Sequence, residues 1–168
     1  MDDRVDIRVA GRDSVDLLRD LWISLSRHHA AVAPELEEAF GDVRPEDDSW
    51  AVRRALYDEW LAEPDAFALL AESDGRPVGY AVISMRGPEE TWATTDRVAE
   101  LQTLAVLPEQ RGRGIGTRLV ERMQEELAAR GVGHFTVSVI ASNADAARFY
   151  ERLGLTPFLV TYAGRVSG

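Results

Sequence analysis

The residues best suited to chemistry form a glycine-rich turn between an apolar strand and an amphipathic helix. The turn consists of Arg111, Gly112, Arg113, Gly114, Ile115, Gly116 and Thr117. Glycines let the backbone approach a ligand closely, and the first N–H groups of a helix have no intrahelical partner. Because the helix dipole adds partial positive charge there, such a turn is typical of a phosphate or pyrophosphate site. The two arginines add cationic donors to an otherwise acidic chain.

The surroundings of the turn exclude two common phosphate sites. A dinucleotide-binding turn needs a third glycine where Thr117 stands and an acidic residue after the next strand, which ends in Ser138, Val139 and Ile140. A P-loop needs a lysine, and all 19 basic residues are arginine. Two interpretations remain: another phosphate ligand, or a helix start whose glycines serve tight packing.

Composition excludes further classes of function. Without cysteine the chain has no disulfide, thiol nucleophile or cysteine zinc site. His28 and His29 are adjacent, which is poor spacing for metal ligands, so we expect no metal. A net charge of -10 repels phosphate backbones, so we do not expect nucleic-acid binding. The chain has no apolar signal core and no long apolar run, and we therefore expect a cytoplasmic protein without membrane association.

Apolar periodicity predicts the elements that position the turn. Alternating apolar residues predict strands over 5–9, 67–71, 78–85, 98–106, 135–139 and 158–162. Helical spacing predicts two helices between the first two strands, the first capped by Asp13 and Ser14. Further helices are expected from residue 115 to Gly131 and over 143–153, with a loop over 33–48. This order predicts an α/β fold with a mixed sheet, in a single domain over residues 1–168.

Two motifs resemble those of the GNAT superfamily of acetyl-CoA-dependent N-acetyltransferases. The first, Arg/Gln-x-x-Gly-x-Gly/Ala, is matched by residues 111–116. The second, Asn-x-x-Ala-x-x-apolar-Tyr followed by Gly and an apolar residue, is matched by Asn143, Ala146, Phe149, Tyr150, Gly154 and Leu155. Both occur in the family order within residues 98–155. The resemblance implies the GNAT fold, with a central, mixed and mostly antiparallel sheet flanked by helices.

The resemblance also implies acetyl-CoA as co-substrate and residues that bind it. The strand backbone before the turn would pair with the pantetheine arm like an added strand, and the turn would hold the pyrophosphate. Asn143 would contact the pantetheine arm, and Tyr150 would lie beside the thioester sulfur. The expected cofactor-binding residues are Leu104, Ala105, Val106, Arg111, Gly112, Arg113, Gly114, Ile115, Gly116, Thr117, Asn143, Ala146 and Tyr150.

Two side chains are predicted to be catalytic, Glu100 and Tyr150. An amine must lose a proton before it attacks a thioester, and a carboxylate accepts that proton directly or through water. Glu100 matches the position of a catalytic glutamate in several family members, although a strand bulge would leave its direction open. The leaving thiolate needs a proton, which a tyrosine hydroxyl can supply. The alternatives are a solvent-facing Glu100 and a Tyr150 that only packs on the sheet.

In this family, two regions usually line the acceptor cleft: the region between the first two helices, and the link between the third and fourth strands. The first region carries Glu35, Glu37, Glu38, Asp42, Glu46, Asp47 and Asp48. These residues would attract a cationic amine, or they form a solvated acidic loop. Trp92, in the second region, would be a pocket wall or part of a dimer contact. His28 and His29 either assist proton transfer or interact with the end of their helix.

The sequence thus predicts an N-acetyltransferase that moves acetyl from acetyl-CoA to the primary amine of a small cationic molecule in one direct step. One alternative acceptor is the N-terminal amine of a protein. A different class is a non-catalytic, acyl-CoA-binding regulatory module. The expected partner is a small-molecule or peptide amine, and a homodimer is left open.

Overall fold

The computed structural model describes residues 5–166, and their strands form one sheet in the order β1-β2-β3-β4-β5. The strands are β1 (Val5–Ala10), β2 (Phe67–Ser73), β3 (Arg76–Arg86), β4 (Val98–Val106) and β5 (Phe135–Val137). Successive strands pair antiparallel from β1 to β4, and β5 joins β4 in parallel. The expected mixed, mostly antiparallel sheet is therefore confirmed.

The helices cover both faces of this sheet. They are α1 (Arg19–Val32), α2 (Leu36–Phe40), α3 (Glu46–Trp60), α4 (Ile115–Ala129) and α5 (Ala144–Arg152), with 3₁₀ helices at Arg12–Leu18 and Pro108–Gln110. The apolar sides of α1 and α3 pack on one face, and those of α4 and α5 pack on the other. Because α4 links the parallel strands β4 and β5, it must cross over the sheet between them.

Alternation along the strands divides the buried side chains between two cores. In β2, Leu70 packs toward α1 and α3, whereas Leu69 packs toward α4. In β3, Tyr80 and Val82 belong to the core beneath α1 and α3, and Ile83 belongs to the core beneath α4. Strands buried on both faces explain why these segments are almost continuously apolar.

The hairpin between β2 and β3 forms where the sequence predicts it. Asp74 and Gly75 occupy the turn with φ of +49° and +73°. A two-residue turn with both φ values positive matches the twist of the flanking strands, which explains the Asp-Gly pair.

The first part of the chain corrects two expectations. Asp13 and Ser14 do not cap the first helix, because they lie within the 3₁₀ helix Arg12–Leu18, which leads directly into α1. Residues 33–48 are not simply a loop, because they contain α2 and the start of α3. The three acidic residues at that start, Glu46, Asp47 and Asp48, lie in the first helical turn, where negative charge favours the helix.

The last part of the chain corrects two strands. The strand predicted over 135–139 ends at Val137. The strand predicted over 158–162 is wrong, because this segment has no regular secondary structure. Its large side chains are exposed, from 60% at Phe158 to 91% at Tyr162. A strand-like composition forms a strand only beside a partner strand, and none pairs with this segment in residues 5–166.

Candidate active site

Strand β4 changes its neighbours halfway along its length. Over Ala99–Leu101 it pairs with β3 on one side and with Phe135–Val137 of β5 on the other. Beyond Leu101 the pairing with β5 ends, whereas pairing with β3 continues to Val106. In the described chain, one edge of residues 102–106 therefore has no strand beside it. Its main-chain donors and acceptors can pair with an extended ligand.

A β-bulge lies at the same place. Val82 pairs with Thr103 and the next residue, Ile83, pairs with Leu101, so Gln102 is the extra residue on β4. The Gln102 Nε2 atom donates to the Ser84 hydroxyl over 3.0 Å. Bulges bend a strand and locally re-aim its side chains, so the bulge gives a physical reason for β4 to leave β5 here.

The bulge determines the direction of Glu100, which the sequence left open. Glu100 lies directly opposite Ser84 in the β3–β4 pairing, and paired residues project from the same face of a sheet. Ser84 alternates with Val82, whose side chain packs toward α1 and α3. The half-buried Glu100 thus lies on the α1–α3 face, together with Gln102.

The glycine-rich turn reverses the chain through left-handed backbone. Gly112 and Gly114 have φ of +76° and +77°, and Gly114 caps α4 without any side-chain cap. A Cβ atom at either position would meet nothing within 4 Å, so the space above the turn is open. The Arg118 N–H donates to the Gly114 carbonyl over 3.0 Å. The N–H groups of residues 115–117 therefore belong to the first helical turn, where an anion binds most favourably.

Other contacts fix this turn against the rest of the fold. Arg111 donates from Nε to the Val106 carbonyl over 3.1 Å, which ties the turn to the end of β4. Gly116 lies against Phe149, where an added Cβ would come within 3.4 Å of the ring. The third glycine of the motif therefore serves the packing of α5 on α4, and the first two set the backbone of the turn.

Helix α5 begins at one predicted site residue and carries another. The Asn143 side chain is 8% exposed, and its Oδ1 accepts from the Ala146 N–H over 3.2 Å as the helix cap. Its amide hydrogens remain as donors for a ligand. Tyr150 stands against Phe149 with ring centroids 5.1 Å apart. Burial raises the pKa of the Tyr150 hydroxyl well above its ordinary value, so this group stays protonated at neutral pH.

The two predicted catalytic residues lie on opposite faces of the sheet. Tyr150 packs against the α4-side core, which also includes Leu104 and Val106 from the second half of β4. Glu100 lies on the α1–α3 face. The structure places Tyr150 in the same core as Leu104 and Val106, which are predicted to bind the cofactor, and it directs Glu100 to the opposite face of the sheet.

The acidic region is partly bound up in the fold. Glu46 accepts from Arg27 Nε, and Asp47 accepts from Arg19 Nη2, each over 2.5 Å. A hydrogen bond from Ser142 lowers the pKa of the exposed Glu35 carboxyl, and so links this region to the loop before α5. Two of the seven carboxylates therefore hold α3 against α1. Because arginines offset the charge of Glu46 and Asp47, the negative charge of this region that could attract a cation is smaller than its composition indicates.

The other candidates near the acceptor side have clear environments. Burial, followed by the nearby His28 and Arg53, lowers the pKa of His29 to about 4. An imidazole that is neutral at pH 7 and so weakly basic is a poor acceptor for a proton from an amine. Trp92, in the link between β3 and β4, is 64% exposed.

A buried hydroxyl cluster was missed by the sequence analysis. The Tyr57 hydroxyl lies 2.8 Å from the Tyr80 hydroxyl and 2.8 Å from Thr103 Oγ1. In the sequence, the helical spacing of Tyr57 indicates only a packing residue. No local pattern in the sequence links positions on a helix and two strands, so this cluster could be found only in the folded chain.

Comparison with known proteins agrees with this architecture. The model of the acetyltransferase (GNAT) family matches residues 29–155. A mycothiol acetyltransferase from Acidothermus cellulolyticus is 32% identical over 145 residues, which are 80% of this chain and 40% of that protein. An uncharacterised N-acetyltransferase from Mycobacterium tuberculosis is 33% identical over 124 residues, 74% of this chain and 70% of the relative. The chain therefore belongs to the GNAT family of acetyltransferases, as its motifs predict.

A solved structure shows the same fold. The aminoglycoside N-acetyltransferase AAC(6')-Iy in complex with CoA superposes with a TM-score of 0.68 at 21% identity, covering 97% of this chain and 96% of that one. The chain spans about 40% of the length of the mycothiol acetyltransferases that it matches. Among residues 5–166, no helix is long and apolar enough to cross a membrane, and no group of His, Asp or Glu side chains is placed to hold a metal.

Proposed function

We propose that this chain transfers an acetyl group from acetyl-CoA to the primary amine of a small, cationic acceptor. The main support for the proposal is that β4 stops pairing with β5 beyond Leu101, and that the end of β4 leads to the left-handed glycine turn. One edge offers main-chain groups to an extended ligand arm, and the next segment offers N–H groups to a phosphate.

The residues on this path fit acetyl-CoA. Leu104, Ala105 and Val106 would pair with the pantetheine arm through their main chain, and residues 111–117 would hold the pyrophosphate. The open space above Gly112 and Gly114 supports this assignment. Asn143 would donate its amide hydrogens to the pantetheine arm while its oxygen caps α5 at Ala146.

The separation of Glu100 from Tyr150 supports a division of roles across the sheet. Bound acetyl-CoA supplies the thioester that the amine attacks. Glu100, on the α1–α3 face, would take the proton that the amine must lose, directly or through water. Tyr150, on the α4 side beside Leu104 and Val106, would donate its proton to the departing sulfur. No covalent acyl-enzyme is needed, which suits a chain without cysteine.

The choice of acceptor rests on charge and on the relatives. Glu37 and Glu38 on α2 are exposed, and they extend the negative surface beside Glu35. An aminoglycoside acetyltransferase shares the fold, and mycothiol acetyltransferases are sequence relatives. Both names refer to small acceptors, which favours a small molecule over a protein N-terminus.

The proposal is tested by measuring CoA release from acetyl-CoA over a panel of amines. The panel contains a polyamine, an aminoglycoside, a basic peptide with a free N-terminus and a neutral amine, and Glu100→Gln serves as the comparison enzyme. We expect turnover with a small cation and a loss of about 100-fold or more in Glu100→Gln. Calorimetric binding of acetyl-CoA without turnover on any amine would favour a binding module, and turnover confined to the peptide would favour a protein acceptor.

A further inference from the structure

The buried hydroxyl cluster connects helix α3 to the strand that carries the proposed site. Tyr57 and Tyr80 are 0% exposed, and Thr103 is 5% exposed. A tyrosine hydroxyl has one hydrogen, so Tyr57 donates to at most one of these neighbours and accepts from at least one. Both 2.8 Å distances end on the Tyr57 oxygen, and both bonds therefore depend on it.

Aromatic packing holds the Tyr57 ring independently of these hydrogen bonds. The ring contacts Trp50 and Trp60 at centroid distances of 6.3 Å and 6.0 Å. The Arg53 guanidinium lies 5.7 Å from its centroid. Burial raises the pKa of the Tyr57 hydroxyl, which keeps it neutral and able to donate. Removing the oxygen alone should thus leave the ring in place.

Thr103 lies where the pairing of β4 changes. It is the first residue after the bulge at Gln102, and it lies in the segment whose other edge has no strand beside it. A strand segment paired on one side has fewer main-chain bonds to fix its position than one paired on both. The hydrogen bond between Thr103 and Tyr57 supplies a side-chain anchor on the α1–α3 face, where Glu100 also lies.

We propose that Tyr57 is a positioning residue for acetyl transfer: through Thr103 it fixes the bulge of β4, and with it the direction of Glu100 beside the open strand edge. The inference rests on the proposed function of that edge. Small displacements of positioned groups reduce turnover strongly, even when the altered residue does not touch the substrate. The glycine turn lies beyond this segment, so pyrophosphate binding should be little affected.

The experiment compares five variants of the full chain: Tyr57→Phe, Thr103→Val, the double variant of these two, Thr103→Ser and Ser49→Ala. Tyr57→Phe and Thr103→Val each remove one hydroxyl of the same bond, and Thr103→Ser restores the Thr103 oxygen. Ser49→Ala is the matched control, because it removes the 3.1 Å bond from Trp22 Nε1 within the α1–α3 layer without reaching β4. Turnover, calorimetric affinity for acetyl-CoA and the thermal midpoint are measured for each.

We expect kcat to fall about 10- to 100-fold in Tyr57→Phe and in Thr103→Val, with acetyl-CoA affinity changed by less than about threefold. The double variant should lose no more than Tyr57→Phe alone, since that variant already lacks the bond to Thr103. Thr103→Ser and Ser49→Ala should keep the wild-type kcat. If Tyr57→Phe does not fold, Thr103→Val carries the test.

Each other outcome is decisive. An active wild type with unchanged kcat in Tyr57→Phe or Thr103→Val overturns the positioning role and leaves the proposed function intact. An equal loss of kcat in Ser49→Ala shows that general destabilisation of the layer is responsible, which also overturns it. A wild type that binds no acetyl-CoA overturns the proposed function and, with it, this inference.

Discussion

The half of the molecule proposed to bind the cofactor (the cofactor half, from β4 to α5) and the half proposed to bind the acceptor (the acceptor half, from α1 to α3) are specified in different ways. In the cofactor half the candidate site consists largely of main chain: the open edge of residues 102–106 and the turn at Gly112 and Gly114. In the acceptor half it consists of exposed side chains on short elements, such as α2.

This difference explains why one half carries sequence motifs and the other does not. A left-handed backbone beside a ligand strongly favours glycine, so few sequences can build the turn. A negative surface can be made from any set of exposed carboxylates. The acceptor half is therefore free to vary with the substrate, while the cofactor half is constrained by backbone geometry.

The largest effect is expected where the backbone site is blocked. Gly114→Glu places a bulky carboxylate where the pyrophosphate is proposed to bind, and like charges brought together cost several kcal/mol. We expect acetyl-CoA affinity to fall more than about 100-fold, measured by calorimetry. The new side chain also strains a backbone with φ of +77°, by roughly 1–2 kcal/mol.

The opposite end of α4 provides the matched control. Gly131 has φ of +70°, and an added Cβ there would also meet nothing within 4 Å. Gly131→Glu should therefore carry a similar loss of stability with wild-type acetyl-CoA affinity. If both variants bind equally well, the turn at Gly114 does not hold the pyrophosphate.

The next largest effect concerns the leaving group. Tyr150→Phe removes one oxygen and should lower kcat about 10- to 1000-fold, because a positioned acid is lost. Since burial raises the pKa of Tyr150, the wild-type hydroxyl stays protonated, and kcat should not decline on the alkaline side below about pH 10.

Two measurements check this assignment. Tyr162→Phe alters a tyrosine that is 91% exposed and should leave kcat unchanged. A wild-type rate in Tyr150→Phe would show that water or another group protonates the thiolate, and a kcat that declines between about pH 7 and about pH 9 would contradict the protonated hydroxyl.

A smaller effect separates the two uses of Asn143. Asn143→Asp keeps the oxygen that accepts from Ala146, whereas Asn143→Ala loses this cap and about 1 kcal/mol of stability. Both variants lack the amide hydrogens, so we expect both to lose roughly 10-fold in acetyl-CoA affinity, as for one hydrogen bond. Wild-type affinity in Asn143→Asp would limit the residue to capping.

Much of the cofactor half could be predicted from the sequence because its signals are local. The limits of β4 are predicted to the residue, since apolar alternation ends at Val106, and the apolar stripe from Ile115 after the glycines predicts α4. The roles of Glu100 and Tyr150 stay predictions, as does the single domain over residues 1–168. The direction of Glu100 depends on a bulge, which is a property of the pairing between β3 and β4.

Long-range contacts account for what the sequence could not indicate. The hydrogen bond between Tyr57 and Thr103 joins residues 46 positions apart. The segment over 158–162 has the composition of a strand, but a strand also needs a neighbouring edge. The ion pairs from Arg19 and Arg27 to α3 depend on how two helices pack, so the sequence could not indicate which carboxylates of the acidic region have an arginine partner.

The last and smallest predicted effect concerns the acceptor half, and its test compares carboxylates at two places in the acidic region. If the exposed carboxylates attract a cation, changing Glu35, Glu37 and Glu38 to Gln should raise acceptor KM about threefold and flatten its salt dependence, since salt screens charges beyond about 10 Å at 0.1 M. The matched triple Glu46→Gln, Asp47→Asn and Asp48→Asn removes the same charge at the start of α3. It should lower stability through the lost ion pairs while acceptor KM stays nearly unchanged.

Acetyl-CoA is anionic, so its own KM should show the opposite or a weak salt trend in every variant. If both triple variants change acceptor KM equally, net charge alone is responsible. If the first triple variant keeps the wild-type acceptor KM and salt dependence, this region is a solvated surface, and a neutral acceptor is then as consistent with the structure as a cationic one.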